Sequence, residues 1–149
     1  MAVVIDTSVF IRAERNRTRI DLTPWRDRGT QLLCAITVSE LIMGIHRANT
    51  DVRRLARRQF VERVLSTIPA LDFTSNVARI HAEVLLELKQ RGTPIGLHDL
   101  LIAATARFHG LPVLTCNVAD FSRVPGLEVL DFDAGTSSTL TSPTKPPSP

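Results

Sequence analysis

Short apolar segments alternate with longer amphipathic segments along most of this chain, and this alternation limits the folds open to it. The first short segment, residues 2–5, reads Ala-Val-Val-Ile and stops at Asp6. An unbroken β-branched run is typical of a strand that is buried on both faces of a sheet. Such strands, joined by helices, form an α/β sandwich whose sheet is mainly parallel. The pattern predicts strands at 2–5, 32–36, 69–73, 112–115 and 127–130, and helices at 7–14, 37–48, 51–68, 75–91 and 98–109.

Length and the composition of the last segment predict the domain organisation. A chain of 149 residues fits one domain that can bury a sizeable core. Residues 134–149 are almost entirely Ser, Thr, Pro, Gly and Ala, so they carry too little apolar side chain to fold. We therefore predict one domain over 1–133 and a disordered tail over 134–149.

Hydropathy and cysteine usage predict the compartment. The sequence has no apolar run of the ~18 residues that a membrane span needs. Its first residues also differ from a signal peptide, because they contain no basic residue and the apolar run ends at Asp6. Cys34 and Cys116 each lie in an apolar run. We expect both to be buried thiols of a protein in a reducing, cytoplasmic compartment. We expect no membrane partner.

Positive charge is concentrated in the first part of the chain. Residues 1–63 hold twelve Arg and seven acids, whereas residues 64–149 hold six basic and eight acidic residues, for a net charge of +3. Arginine suits bidentate contacts with phosphate. The distribution permits a nucleic-acid partner, and it is equally consistent with an ordinary solvated surface.

Four acidic residues fall where predicted strands end or helices begin. Asp6 follows the first strand, Glu40 lies in the first turn after the second, Asp99 opens the most apolar helix, and Asp120 follows the fourth strand. A parallel sheet brings such positions to one edge. Carboxylates gathered there repel one another, and Mg²⁺ or Mn²⁺ removes that repulsion. Such a centre can hydrolyse a phosphodiester.

Each acid also has an ordinary structural explanation. Thr37 and Glu40 have the spacing of a capping box, and Thr7 or Ser8 can cap the first helix. Asp6 can likewise be an N-cap, and Asp120 can cap a turn. Asp99, at the start of a helix, can interact favourably with the helix dipole. Placement alone leaves the metal site and these structural roles equally open.

The helix at 51–68 changes the phase of its apolar stripe. Its first half places Val52, Leu55, Ala56 and Phe60 on one side with Arg53, Arg54, Arg57 and Arg58 opposite, whereas its second half turns Val61, Val64, Leu65 and Ile68 towards the arginine side. One straight helix cannot bury both stripes in one core. We predict that the helix breaks or that its halves meet different surfaces, the first half packing on helix 37–48 and a partner chain, with the arginines at the solvent rim.

Several segments, in order, resemble the PIN domain, and more narrowly the VapC-type toxins of bacterial toxin–antitoxin pairs. The resemblance runs from Val3 to about Phe132. The segments that carry it are Val-Ile-Asp-Thr-Ser-Val-Phe at 4–10, Ser-Glu-Leu at 39–41 with Gly44, Ile-Gly-Leu-His-Asp-Leu-Leu-Ile-Ala-Ala-Thr-Ala at 95–106, and Leu-Thr-Cys-Asn-Val-Ala-Asp-Phe at 114–121.

The resemblance implies a three-layer sandwich with a five-stranded parallel sheet and a toxic Mg²⁺- or Mn²⁺-dependent endoribonuclease. It also implies a homodimer and a small VapB-like antitoxin. Asp6, Glu40 and Asp99 match the family's acidic triad. Some relatives place a fourth acid where Asn117 stands; here we assign that role to Asp120, with Asn117 as a possible ligand. Hydroxyl residues matching the family's, namely Thr7 or Ser8 and Thr115, are expected to hold a carboxylate or water, whereas His98 is expected to make only a flanking contact.

Three other functions are alternatives to a nuclease. A phosphatase with Asp6 as nucleophile normally has a second Asp two residues later, where Ser8 stands. A dinucleotide-binding fold has a glycine-rich turn after its first strand, which is absent at 6–9. A non-catalytic PIN domain that only binds RNA or protein stays open.

Overall fold

The structure, a computed structural model, describes residues 1–137. Its strands are β1 (Ala2–Ile5), β2 (Thr30–Cys34), β3 (Ala70–Leu71), β4 (Val113–Thr115) and β5 (Val129–Asp131). Its helices are α1 (Thr7–Arg15), a 3-10 helix (Thr23–Arg28), α2 (Ala35–His46), α3 (Asp51–Thr67), α4 (Ser75–Arg91), α5 (Leu97–His109), α6 (Val118–Phe121) and α7 (Phe132–Ser137). The predicted alternation of strands and helices is confirmed.

All five strands pair in parallel, in the order β3-β2-β1-β4-β5. The chain builds outward from β1 to β2 and β3, and then returns to place β4 on the other side of β1. Strand order therefore reverses between β1 and β4. In open parallel sheets, ligands bind beyond the carboxyl ends of the strands at such a reversal.

Two apolar clusters cover the two faces of the sheet, which makes the fold a three-layer sandwich as predicted. Val3 and Ile5 point into one cluster, with side chains from α1, α2 and α3. Val4 points into the other, with side chains from α4, α5 and α6. Successive strand residues alternate between the two faces, so a short strand that is apolar throughout is buried on both sides.

Helix α3 is continuous, and its two halves meet different surroundings. Val61 and Val64 are buried in the α1–α3 cluster, whereas Val52 and Leu55 are 80% and 57% exposed. The prediction that the first apolar stripe packs on α2 holds for Phe60, which is partly buried against the cluster that contains Leu41 and Ile45. It is wrong for the other three residues of the stripe, Val52, Leu55 and Ala56, which are exposed. Arg53 and Arg58 are exposed, as expected for a solvent rim, whereas Arg57 turns towards α1 and α2. It donates to the Gly44 carbonyl at 2.8 Å and to Glu14 at 2.5 Å. Carbonyls in the last turn of a helix are unpaired acceptors, which favours this contact.

The predicted capping box at α2 and the predicted cap by Thr7 or Ser8 at α1 are also wrong. Strand β2 runs directly into α2, so the helix begins at Ala35 with Cys34 as its N-cap. Thr37 therefore lies inside the helix, where it is fully buried. At α1 the N-cap position belongs to Asp6 rather than to Thr7 or Ser8.

Near its end, the described chain extends past the predicted domain boundary at 133. Helix α7 continues to Ser137, and Phe132 stacks on Trp25 with ring centroids 5.0 Å apart. The remainder of the predicted tail lies outside the described residues. Cys34 is buried as expected, whereas Cys116 is only half-buried. No helix within residues 1–137 is both long enough and apolar enough to cross a membrane.

Candidate metal centre

The four predicted acids come from four different elements around the β1–β4 reversal. Asp6 directly follows β1, Glu40 lies in α2, Asp99 lies in the first turn of α5, and Asp120 lies in α6. The carboxylate of Asp99 is close enough to feel the charges of the other three. The sheet therefore gathers them at one edge, as the positions of strand ends predicted.

Asp6 is buried at the floor of this site and is held by two hydroxyl groups. Ser8 Oγ donates to its Oδ2 at 2.5 Å, and Thr115 Oγ1 donates to the same atom at 2.7 Å. The amide N–H of Cys116 in turn donates to Ser8 Oγ at 3.0 Å. Burial raises the pKa of Asp6, and the hydrogen bonds from Ser8 and Thr115 partly offset that rise.

Glu40 reaches the site from α2 and is held at both carboxylate oxygens. Thr7 Oγ1 donates to Oε2 at 2.5 Å and lies 3.0 Å from Thr37 Oγ1. His98 Nδ1 lies 2.7 Å from Oε1. The predicted bond from Glu40 back to its own helix is replaced by these contacts with α1 and α5.

Asp99 and Asp120 are joined by one amide group. Asn117 Nδ2 lies 3.1 Å from Asp99 Oδ2 and 2.9 Å from Asp120 Oδ2, so it donates to both carboxylates. Asp120 also pairs with Arg123 at 3.2 Å. In this arrangement Asn117 bridges the two acids through its donor nitrogen, and Asp120 is the acid whose charge is already partly balanced.

The electrostatics of Asp99 mark the centre of the site. Desolvation is the largest cause that raises its pKa to about 6, followed by the negative charges of Asp6, Asp120 and Glu40, while the Asn117 amide opposes the rise. Within residues 1–137, neither Asp6 nor Asp99 forms an ion pair. The negative charge of these two carboxylates is therefore not balanced by a protein cation.

These residues fit a hard divalent cation. The available donors are carboxylate, amide and hydroxyl oxygens, which Mg²⁺ and Mn²⁺ prefer. In the part of the chain that the structure describes, no three His, Cys, Asp or Glu side chains form a ready-made coordination cage. Mg²⁺ does not need one, because it keeps several of its waters and binds through one or two carboxylates.

Some contacts of the site could be anticipated from the sequence and others could not. The expectation that hydroxyl residues hold a carboxylate is met by Thr7, Ser8 and Thr115. His98 was expected to make a flanking contact, and the residue it contacts is Glu40. The sequence places His98 beside Asp99, but it carries no signal that the ring turns towards α2.

A cavity of about 200 Å³ opens beside Glu40 and His98. Its walls combine the apolar side chains of Phe10, Ile11, Met43 and Phe60 with Arg47 and with the ion pair of Arg57 and Glu14. The acidic centre therefore lies at one end of a partly apolar, partly basic depression.

Comparison with known proteins adds sequence and fold relatives. Residues 3–127 match the PIN domain. Ribonuclease VapC1 of Rickettsia felis is 38% identical over 130 residues, covering 87% of this chain and 96% of the relative. The tRNA(fMet)-specific endonuclease VapC of Salmonella typhimurium is 32% identical over 134 residues, with the same coverage. The crystal structure of DNA-bound VapBC from Salmonella typhimurium superposes with a TM-score of 0.75 at 30% identity, covering 89% of this chain and 98% of that one.

Proposed function

This chain belongs to the PIN-domain family, with VapC ribonucleases among its relatives, and from that premise we propose that it is a toxic endoribonuclease neutralised by a VapB-like antitoxin. The observation that carries the assignment is the convergence of Asp6, Glu40 and Asp99, from three separate elements, on the edge of the sheet where strand order reverses. We propose RNA as the substrate and the cytoplasm as the compartment. The homodimer implied by the resemblance is part of the proposal.

We further propose that Mg²⁺ or Mn²⁺ is the cofactor. Asp6 and Asp99 are the first candidates to hold it, with Glu40 and Asp120 beside them and Asn117 as a possible oxygen donor. When bound, such an ion supplies positive charge to a phosphodiester and acidifies the water that attacks it.

The protein's own residues prepare the site for this chemistry. Ser8 and Thr115 fix the Asp6 carboxylate, so that its orientation does not depend on a ligand. Asn117 holds Asp99 and Asp120 together in spite of their like charges. Such preorganisation limits the rearrangement needed when substrate binds.

The decisive experiment measures RNA cleavage by the wild-type protein and by Asp99→Asn and Glu40→Gln, with tRNA as the first substrate because one relative is a tRNA endonuclease. We expect wild-type cleavage to stop on chelation with EDTA and to return with Mg²⁺ or Mn²⁺. Both variants should lose at least about 100-fold in rate, because each removes a charge from the proposed metal site. Asp72→Asn, which changes an exposed acid before α4, is the matched control.

The alternative is a non-catalytic PIN domain that binds RNA or protein. The acids at positions 6, 40 and 99 favour catalysis, since a binding module has no need to gather carboxylates that repel one another. Cleavage that survives EDTA, or that is equal in folded Asp99→Asn and the wild type, contradicts the metal-dependent mechanism. RNA binding without any cleavage supports the alternative.

A further inference from the structure

The two oxygens of the Glu40 carboxylate are hydrogen-bonded by residues of two other helices. Thr7, from α1, bonds to Oε2 on the buried side, and the His98 ring, from α5, meets Oε1 on the solvent side. The Glu40 side chain is 26% exposed and that of His98 is 55% exposed. The His98 ring therefore makes the more exposed of the two contacts, and it also lines the cavity.

Glu40 needs more support than the other acids of the site. Its side chain has one more rotatable bond than aspartate, so fixing it costs more conformational entropy. A single hydrogen bond from Thr7 would leave the carboxylate free to rotate about that bond. A second bond, to the other oxygen, fixes the plane of the carboxylate as well as its position.

His98 is carried by a rigid element. It lies in the first turn of α5, next to Asp99, and this helix is anchored by the fully buried Ile102, Ala103 and Ala104. Its ring therefore approaches Glu40 from a fixed backbone. The same turn of α5 supplies one acid of the site and the ring that holds another.

We propose that His98 is a positioning residue, whose Nδ1–H donates to Glu40 Oε1 and keeps that carboxylate turned towards Asp6 and Asp99. The proposal rests on the proposed function, because a fixed Glu40 matters only if the acids act together on a cation and a phosphodiester. Hydrogen-bond partners that orient ligands typically change metal affinity or activity by 10- to 100-fold when removed. A contact that merely ties α2 to α5 would change stability alone.

The test compares three variants with the wild type. His98→Ala removes the ring, His98→Asn keeps an N–H donor near the position of Nδ1, and His46→Ala removes an exposed histidine from the end of α2. We expect His98→Ala to lower kcat for RNA cleavage by about 10-fold with KM changed less than about twofold. His98→Asn should recover most of the loss, and His46→Ala should match the wild type.

A second readout does not depend on turnover. Mn²⁺ affinity is measured by calorimetry for the wild type, His98→Ala, Glu40→Gln and the double variant. If His98 acts through Glu40, it should weaken Mn²⁺ binding by about 10-fold alone and add nothing once Glu40 is changed.

The proposal is overturned if His98→Ala keeps wild-type kcat and Mn²⁺ affinity, if His98→Asn is as impaired as His98→Ala, or if the two substitutions are additive. Failure of the proposed function is recognised separately, by a folded wild-type protein that binds no Mn²⁺ and cleaves no RNA.

Discussion

At the scale of single residues, the two acids nearest the centre of this site, Asp6 and Asp99, are held by neutral donors and not by cations. Asp6 receives two hydroxyl groups and Asp99 receives an amide, so their negative charge is oriented but not neutralised. The positions of Asp6, Asp99 and Asp120 could be predicted, because they follow a strand or open a helix. Glu40 was expected in a first turn and lies further along, because α2 already begins at Ala35. The partners of the acids could not be predicted, because Thr7 and Ser8 have the same spacing whether they cap a helix or hold a carboxylate.

This arrangement makes the stability of the metal-free protein depend on pH through Asp99. Its folded-state pKa of about 6 lies above the ordinary value of 3.8, so the folded state binds the proton more tightly. The free energy of unfolding should therefore fall as pH rises from about 4 to about 6. After discounting for solvent screening of a half-buried group, Asp99→Asn should be about 1–2 kcal/mol more stable than wild type at pH 7.

Urea denaturation in EDTA at pH 4 and pH 7 measures this effect. The advantage of Asp99→Asn should be present at pH 7 and be much smaller at pH 4, where the carboxyl is protonated in the folded state and partly protonated in the unfolded state. Asp72→Asn reports the effect of removing an exposed carboxylate elsewhere. An Asp99→Asn variant that is less stable than wild type at pH 7 contradicts the account.

At the scale of elements, the strands were easier to predict than the packing of α3. The strands could be predicted because a short, wholly apolar run such as residues 2–5 is typical of a strand that is buried on both faces of a sheet. The phase change in α3 was visible in the sequence. How α3 packs, however, depends on Glu14 of α1 and on the Gly44 carbonyl of α2, which both accept hydrogen bonds from Arg57. Periodicity along one segment carries no information about acceptors on another.

Helix α7 offers a test of element packing that periodicity could not suggest. A Cβ built on Gly135 would lie 2.2 Å from Cζ2 of Trp25, so no side chain fits there without movement. We expect Gly135→Ala to destabilise the protein by about 1–3 kcal/mol, the usual cost of overpacking. Gly44→Ala is the matched control, because a Cβ at Gly44 meets nothing within 4 Å and alanine favours a helix interior.

Thermal unfolding and tryptophan fluorescence measure both glycine variants, since Trp25 is the only tryptophan of the chain. Gly135→Ala should lower Tm and alter the emission of Trp25, while Gly44→Ala should do neither. Equal Tm values for Gly135→Ala and wild type would show that α7 does not contribute to the stability of the domain.

At the scale of the whole molecule, the sheet topology and the charge distribution act on the same ligand. The reversal between β1 and β4 gathers acids that repel a polyanion, whereas residues 1–63 carry the excess of arginine. Arg47 and Arg57 line the cavity that ends at Glu40 and His98. The charge of Arg57 is already paired with Glu14, so Arg47 is the cavity arginine placed to offset the repulsion of phosphate by the acidic centre.

If Arg47 receives RNA, the affinity of a non-cleaving variant should fall steeply with salt. In the Asp99→Asn background, Arg47→Glu removes an exposed arginine from the cavity wall, and Arg79→Glu removes an exposed arginine from α4, on the opposite face of the sheet. We expect Arg47→Glu to weaken binding of a fluorescent tRNA and to reduce the slope of log affinity against log salt by about 1, because one phosphate contact is lost. Arg79→Glu should leave the slope unchanged.

Fluorescence anisotropy over a series of KCl concentrations measures both variants. Equal effects of the two substitutions would mean that RNA responds only to net charge and that the basic wall of the cavity has no specific part in binding.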